Sequence, residues 1–158
     1  MPASVPIAIA LGSNLGDRHA HLGWALEELS AFVSHLRVSS IHQTEPAEVL
    51  EPQPQYLNAV AIGETALEAR EVLARLLRIE ARRGRERLSF HATRTLDLDL
   101  ILYGNHTIDE AGLAVPHPRF RDRLFVLEPL AEVAGGWVDP VTGKTVAVIR
   151  DGVRQGGR

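Results

Sequence analysis

The segment from Leu96 to Tyr103 alternates between leucine and other residues, and this alternation constrains the fold more than any other feature. Leucines occupy positions 96, 98, 100 and 102, while Asp97 and Asp99 occupy positions between them. A period of two predicts a β-strand that buries its leucines in a core and presents both aspartates on the opposite face. At the usual strand rise, the Cα atoms of the two aspartates are about 7 Å apart.

Two carboxylates at this separation repel each other unless a cation lies beside them. Coulomb's law gives a repulsion of roughly 0.6 to 2.4 kcal/mol, depending on whether the dielectric constant is that of water or of a protein surface. Oxygen ligands on a rigid strand suit Mg²⁺, so Asp97 and Asp99 form a candidate metal site. The alternative is an ordinary solvated face of an antiparallel strand.

Composition and charge limit the class of protein. A chain of 158 residues with 45% apolar and 23% charged residues is typical of a soluble protein, and we expect a single domain over residues 1–158. The net charge of −3 gives no reason to expect nucleic acid or a membrane as the main partner. The sequence contains no cysteine, no apolar run of membrane-spanning length and no signal-peptide pattern. We therefore expect a cytoplasmic protein that acts as a monomer.

Three further strands are predicted from apolar runs over residues 7–11, 37–44 and 56–63. The first run ends in Gly12-Ser13-Asn14, which matches neither common glycine-rich phosphate-binding pattern. This turn is either a phosphate cradle or a plain β–α turn. A proline-containing loop, 45–55, precedes the last run, in which Tyr56 and Asn58 share a face. An asparagine within a strand is disfavoured unless it has something to bind.

Two helices are predicted between these strands. Apolar residues at helical spacing run from Leu22 to Leu36, with Asp17 as the N-cap. The segment Thr65–Glu68 matches a capping box and announces the second helix. The inward stripe of that helix includes Leu77 and ends in Glu80, a carboxylate that needs a partner at such a position.

The last third of the chain is expected to be helical and rich in loops. Two prolines hold the backbone around His117 extended, and a helix follows over residues 125–133. Pro129 is expected within the first turn or so of that helix, where proline is tolerated. The composition of residues 152–158 suggests fraying. A lone histidine such as His117 is more often structural than functional, although arginines flank this one.

The element order β-α-β-β-α-β with a C-terminal extension predicts a ferredoxin-like α+β sandwich. The two helices should cover one face of the sheet and leave the other face for a site. RNA-binding and regulatory modules share this topology, so the fold alone does not identify the function.

Arginines are concentrated between the second helix and the acidic strand. Those at the helix end suit the negative end of the helix dipole, whereas Arg85, Arg87 and Arg94 lie in the loop that leads to Asp97. Guanidinium groups beside cation-binding carboxylates suit a polyphosphate. The alternative is a binding module that uses the cluster 82–87 as a basic patch for nucleic acid.

Several segments occur together in one order: Leu11–Asp17, Thr44–Pro46, Gln55–Val60, Arg94–Leu100, Val115–Arg119 and Leu127–Leu130. The pattern R-T-x-D-[IL]-D followed by V-P-H-P-R is highly specific. With these segments the chain resembles the 6-hydroxymethyl-7,8-dihydropterin pyrophosphokinase family, whose members act in folate biosynthesis. The resemblance implies transfer of the diphosphate of ATP to the pterin hydroxymethyl group, with release of AMP and two Mg²⁺ ions. Phosphoryl-type transfer needs positioning and charge neutralisation more than covalent help from the protein.

The resemblance also assigns site residues. Asp97 and Asp99 would bind both metal ions and, with Arg85 and Arg94, form the catalytic group. The pterin group would comprise Ser13, Asn14, Thr44 (through nearby main-chain groups), Tyr56, Asn58 and Phe125, with the two aromatic rings sandwiching the pterin. The ATP group would comprise Glu80, Arg85, Arg87, Arg94, His117 and Arg123. No nucleic acid or membrane partner is implied.

One loop departs from the family pattern. Where the family often has tryptophan-glycine-proline-arginine, this chain has His91-Ala92-Thr93-Arg94, so the loop should be stiffened differently. We expect loops 45–55 and 84–94 to be lids that close on ATP. A further hypothesis is that Asp97 accepts the proton of the attacking hydroxyl, and full recovery of the Asp97→Ala rate at high Mg²⁺ would contradict it. A second alternative to the enzyme is that the chain is a catalytically inactive relative of this family.

Overall fold

The computed structural model describes residues 3–13, 17–44, 56–83 and 96–156. The strands are β1 (Val5–Ser13), β2 (Ser34–Val38), β3 (His42–Thr44), β4 (Tyr56–Thr65), β5 (Asp97–Tyr103), β6 (Ile108–Glu110) and β7 (Leu113–Val115). The helices are α1 (Arg18–Leu29), α2 (Ala69–Arg82), α3 (Leu124–Ala134) and α4 (Val146–Gly156), with a 3₁₀ turn over Phe120–Asp122.

The main sheet has the strand order β2-β4-β1-β5, and β3 also pairs with β4. Every pairing in this sheet is antiparallel. With β2 and β3 treated as one interrupted edge strand, the topology is β-α-β-β-α-β, so the predicted ferredoxin-like α+β sandwich is confirmed. A separate hairpin of β6 and β7 follows β5.

The sheet buries a hydrophobic core on each of its two faces. On the first face, Ile7, Ile9 and Leu11 of β1 pack with apolar residues of α1 and α2. On the second face, Ala8 packs with apolar residues of α3 and α4. We expected the second face to be left for a site, but α3 and α4 cover much of it and leave one end open.

A bulge interrupts the alternation of β5. The register between β1 and β5 shifts between Ala8 and Ile9, and Ile101 is left without a Cα partner on β1. The first three leucines, at positions 96, 98 and 100, pack in the first core as predicted. Beyond the bulge, Leu102 joins the second core and Tyr103 the first. The prediction that all four leucines share one face is therefore wrong for Leu102, because a bulge shifts the side-chain alternation by one residue.

Helix α1 is shorter than its pattern predicts. Its N-cap is Asp17, as predicted, and Asp17 Oδ1 accepts a hydrogen bond from the Ala20 N–H at 3.1 Å. The helix ends at Leu29, and β2 begins at Ser34 instead of at residue 37. The start of β2 lies close against Gly63 of β4, where an added Cβ would lie 2.7 Å from the Ser34 carbonyl oxygen.

The start of α2 also differs from the prediction. Thr65 is the buried last residue of β4, and its hydroxyl accepts a hydrogen bond from the Leu67 N–H at 3.1 Å. The N-cap is Glu68, whose side chain makes no capping hydrogen bond, so the capping box is not formed. Ile79 is buried in the inward face of the helix, whereas Leu77 is 50% exposed.

The C-terminal part is more regular than its composition predicts. Pro129 is the sixth residue of α3, beyond the first turn, and it is buried. Residues 152–156 are helical within α4, and Ile149 anchors this helix in the second core. Arg154 donates two hydrogen bonds to Glu128 of α3, both 2.6 Å long. None of the helices in the described ranges is long and apolar enough to cross a membrane.

Candidate active site

The open end of the second face contains a cavity of about 300 Å³. Its walls combine carboxylate, guanidinium, amide and aromatic groups with small apolar residues. The residues that line it are Ala10, Leu11, Gly12, Tyr56, Asn58, Ala59, Asp97, Asp99, Arg123, Phe125 and Val126. Six of the predicted site residues are thus brought to one cavity from β4, β5 and the start of α3.

Small residues of the central strand β1 form the floor of this cavity. Gly12 is the register partner of Asn58 on one side and of Asp97 on the other. Neighbouring strands are about 4.8 Å apart, so the Cα atoms of Asn58 and Asp97 are about 10 Å apart across the glycine. A Cβ at position 12 would lie 3.3 Å from Asn58 Oδ1. The floor therefore stays open only if this position has no side chain.

The two aspartates project from the same face of β5, as the alternation predicts. Asp97 is half-buried and Asp99 is exposed, and both line the cavity. Ala10 is the register partner of Asp99. Because the carboxylates share a concave site with Arg123, they are more than a solvated strand face.

Glu80 lies behind the acidic strand. It is 4% exposed at the end of α2, and its Oε2 accepts a hydrogen bond from the Leu98 N–H at 2.7 Å. Leu98 separates the two aspartates in the chain, so Glu80 fixes the backbone between them. The expectation that this inward carboxylate needs a partner is confirmed.

His117 is held mainly by main-chain contacts. Its N–H donates to the Ile101 carbonyl oxygen at 2.9 Å, and its Nδ1 accepts from the Arg119 N–H at 3.1 Å. Burial lowers the pKa of His117, the Asp99 carboxylate opposes this effect, and Arg123 and Arg119 add to it. The imidazole is therefore neutral at pH 7, with Nδ1 as an acceptor and Nε2 as the protonated nitrogen.

The two predicted aromatic residues come from different elements. Tyr56 is the first residue of β4, and Phe125, which is 43% exposed, is the second residue of α3. The guanidinium carbon of Arg123 is 5.4 Å from the centroid of the Phe125 ring, within the range of a cation–π contact. The aromatic and cationic groups at the start of α3 thus support each other.

The Ser13 side chain does not reach the cavity, and several other predicted site residues lie outside the described residues. Ser13 is fully buried and pairs with Leu57, whose side chain packs in the first core, so the Ser13 side chain lies on the opposite face of the sheet. Thr44 ends β3 opposite Tyr56, and its side chain lies outside the described residues. Asn14, Arg85, Arg87, Arg94 and the two predicted lids, 45–55 and 84–94, also lie outside them.

The basic patch of the alternative binding module is only partly described. Arg82 donates to Glu28 at 2.6 Å, and Arg83 donates to His21 Nδ1 at 2.8 Å. Both guanidinium groups also lie near the Trp24 ring, at 5.4 and 5.0 Å from its centroid. These two arginines hold α1 and α2 together, which weakens the case for a nucleic-acid surface.

Five residues that line the cavity are absent from the predicted site, and two of these, Ala10 and Gly12, form its floor. The signal for them is present in the sequence, because Ala8, Ala10 and Gly12 are small residues at alternate positions of one strand. A run of small residues on one face predicts a close approach or a shallow floor. By itself, the apolar run predicts only a buried strand.

The two carboxylates of β5 have the chemistry of Mg²⁺ ligands. Within the described ranges there is no group of three or more His, Asp or Glu side chains that could hold a metal ion. Asp97 and Asp99 nevertheless supply hard oxygen donors on a rigid strand beside open space. Mg²⁺ typically keeps several waters and binds one or two carboxylates together with substrate phosphates, so the pair fits this ion.

Fold and cavity together define an α+β protein with a concave, partly polar cavity at the open end of its sheet. The profile of the 7,8-dihydro-6-hydroxymethylpterin-pyrophosphokinase (HPPK) family matches residues 8–135. The chain therefore belongs to the HPPK family.

Curated relatives agree with this assignment. The 2-amino-4-hydroxy-6-hydroxymethyldihydropteridine pyrophosphokinase of Synechocystis sp. is 42% identical over 140 residues, which cover 87% of this chain and 71% of that protein. The protein with the same name in Bacillus subtilis is 44% identical over 127 residues, which cover 79% of this chain and 75% of the relative.

Solved structures show the same fold at low sequence identity. A crystal structure of HPPK-DHPS in complex with substrates has a TM-score of 0.80 and 10% identity, covering 99% of this chain and 44% of that one. The wild-type Plasmodium falciparum HPPK-DHPS with SDX-DHP has a TM-score of 0.78 and 11% identity, covering 96% of this chain and 45% of that one. This chain thus spans less than half of the length of these proteins.

Proposed function

We propose that this chain transfers the diphosphate of ATP to the hydroxymethyl group of 6-hydroxymethyl-7,8-dihydropterin and releases AMP, a reaction of folate biosynthesis. Membership of the HPPK family supports the reaction. The observation that carries the proposal is the cavity floor, where Gly12 separates the Asn58 amide from the Asp97 carboxylate. A flat heterocycle can lie on one side of this floor while its reactive arm points to the other.

The β4 side of the cavity suits the pterin. Tyr56 and Phe125 supply aromatic faces for a planar ring, and the Asn58 amide supplies both a donor and an acceptor for the polar edge. Asn58 is 6% exposed, so a ligand that bonds it does so with little competition from water. We infer that Ser13, Asn14 and main-chain groups near Thr44 contribute further hydrogen bonds on this side of the cavity.

The β5 side suits the triphosphate of ATP. Asp97 and Asp99 would hold two Mg²⁺ ions, which neutralise phosphate charge and lower the pKa of the attacking hydroxyl. Arg123 and neutral His117 would contact phosphate oxygens, joined by the loop arginines Arg85, Arg87 and Arg94. Glu80 would serve the nucleotide site by holding β5 in place, because it accepts a hydrogen bond from the Leu98 N–H.

The reaction consists of one displacement. The hydroxymethyl oxygen forms a bond to the β-phosphorus of ATP, the bond from that phosphorus to the oxygen of the α-phosphate breaks, and AMP leaves with that oxygen. The hydroxyl proton passes to Asp97 in our hypothesis. The task of the protein residues is to align the two substrates and to surround the phosphates with fixed charge.

The test is an assay of the whole chain with Mg²⁺, ATP and 6-hydroxymethyl-7,8-dihydropterin. We expect AMP to appear in step with consumption of the pterin. Formation of ADP would point to an ordinary kinase, and the lack of any nucleotide product, with salt-sensitive RNA binding instead, would favour the binding module. The monomeric state and the cytoplasmic location stay predictions, and size-exclusion chromatography tests the first.

A further inference from the structure

Glu132 of α3 makes a set of contacts that the proposed reaction does not use. Its Oε2 accepts from the Ser40 N–H at 2.7 Å, and its Oε1 accepts from the Ser40 hydroxyl at 2.8 Å and lies 3.1 Å from His42 Nε2. The Ser40 N–H first, and then the His42 and Ser40 side chains, hold the pKa of Glu132 below its ordinary value. One carboxylate thus joins α3 to a segment about 90 residues earlier in the chain.

The three side chains are not arranged as a proton relay. In a serine–histidine–carboxylate triad the imidazole lies between the other two groups and uses both of its nitrogens. Here the Ser40 hydroxyl and His42 Nε2 both approach the same oxygen of Glu132. The arrangement therefore suits a structural link and not a nucleophile. We call the hydrogen bonds of Glu132 to Ser40 and His42 the Glu132 tie.

The segment that Glu132 holds lies behind the pterin side of the cavity. Ser39 stays attached to β4, because its N–H donates to the Val60 carbonyl oxygen at 2.9 Å and its hydroxyl accepts from the Val60 N–H at 3.0 Å. From His42 the strand β3 then runs beside β4, with His42 opposite Asn58. The last register pair joins Thr44 to Tyr56. Strand β3 thus supports from outside two of the β4 residues that line the cavity, Tyr56 and Asn58.

The helix that carries Glu132 also carries the opposite wall. Phe125 and Glu132 are seven residues apart, which is about two helical turns, so they lie on the same side of α3. Phe125 lines the cavity at the N-terminal end of the helix. Glu128, one helical turn before Glu132, binds Arg154 of α4. Glu132 thus attaches the helix to the sheet edge, and Glu128 attaches it to its neighbour.

We propose that Glu132 is a positioning residue, whose tie between α3 and β3 sets the gap between Phe125 and Tyr56 in which the pterin binds. The proposal rests on the proposed function only in naming the pterin as the ligand. It predicts that loss of the tie weakens pterin binding, while binding of ATP and the chemical step are largely spared.

The experiment compares Glu132→Ala with Glu128→Ala, which removes a matched tie of the same helix. For Glu132→Ala we expect the KM for the pterin to rise about tenfold, with the KM for ATP and kcat within about twofold of wild type. For Glu128→Ala we expect a similar loss of thermal stability and an unchanged pterin KM. Glu132→Gln retains an acceptor for the Ser40 N–H, so its pterin KM should rise by no more than about threefold.

Hydrogen exchange provides a readout that does not depend on catalysis. Amide exchange of residues 40–44 should be faster in Glu132→Ala than in wild type and unchanged in Glu128→Ala. A pterin KM in Glu132→Ala equal to that of wild type, or raised equally in both alanine variants, would overturn the positioning role. If wild type itself formed no AMP, the proposed function would fail, and unchanged exchange at residues 40–44 would separately overturn the tie.

Discussion

Replacing Gly12 by alanine tests whether the floor of the cavity must be free of side chains. The added Cβ would lie 3.3 Å from Asn58 Oδ1 and 3.9 Å from the Leu57 carbonyl oxygen. The nearer atom belongs to the side-chain amide of Asn58, which can rotate so that its oxygen moves away by a few tenths of an ångström. The fold should therefore accept the methyl group, whereas the amide should lose its alignment with a ligand.

The size of the effect follows from the hydrogen bonds at stake. A displaced amide leaves a polar edge of the ligand without its partner, which costs about 1–3 kcal/mol. Since 1.4 kcal/mol corresponds to a factor of ten, the Kd for the pterin should rise about 5- to 150-fold. Because the methyl group of Gly12→Ala has its close contact with a side chain that can rotate away, the free energy of unfolding should change by less than about 1 kcal/mol.

The assay is isothermal titration with 6-hydroxymethyl-7,8-dihydropterin, with thermal unfolding measured on the same samples. Gly23→Ala is the matched control, because Gly23 lies within α1 and an added Cβ there would meet nothing within 4 Å. This control should raise stability by about 0.5–1 kcal/mol, the helix cost of glycine relative to alanine, and leave the Kd unchanged. A Kd for Gly12→Ala within twofold of wild type would refute the reasoning.

Further predictions concern charges and buried polar groups. Burial would raise the pKa of Asp139, but Arg121 and neighbouring donors outweigh burial and lower it from 3.8 to about 2. This carboxylate therefore stabilises the fold above pH 3.8, and about 2 kcal/mol of stability should be lost as pH falls to 2, as urea unfolding at several pH values would show. Glu80→Leu should lose about 1–3 kcal/mol on chemical denaturation, because the buried Leu98 N–H loses its acceptor. Asp99→Asn should lower kcat/KM about a hundredfold in the AMP assay at all Mg²⁺ concentrations, and a normal rate would contradict its assigned role.

Local patterns predicted those parts of the fold whose periodicity is set within one element. The leucines at positions 96, 98 and 100 point to one core because a strand repeats every two residues, and Asp97 and Asp99 consequently share the cavity face. The bulge at Ile101 could not be predicted in this way. Every residue from Leu100 to Tyr103 is apolar and buried, so the pattern contains no sign of where the faces exchange.

Other predictions are wrong where contacts between elements, and not the local pattern, decide where a helix ends. Phe32, Val33 and Leu36 keep helical spacing because the turn and β2 pack on the same core as α1, although the helix ends at Leu29. The end of α4 has a composition typical of a frayed tail. It is helical because Ile149 is buried and Arg154 binds Glu128, contacts that composition does not reveal.

The open floor could not be predicted from residue types alone, because glycine and alanine also occur in ordinary buried strands. What identifies Gly12 is its register, with Asn58 on one neighbour and Asp97 on the other. Such a pairing becomes visible only when strands far apart in sequence are aligned. The tie through Glu132 is hidden in the sequence for the same reason, since it joins α3 to Ser40 and His42, about 90 residues earlier.

The bulge in β5 divides the strand into two halves whose side chains have different surroundings. Up to Leu100, odd-numbered side chains reach the cavity, whereas beyond Ile101 the face exchange makes Leu102 part of the second core. Deleting Ile101 would restore a regular ladder in which Leu100 stays opposite Ile9 and Leu102 stays opposite Ala8, so neither half of the strand would turn over. The extra residue thus gives the second core two consecutive side chains of β5, Ile101 and Leu102.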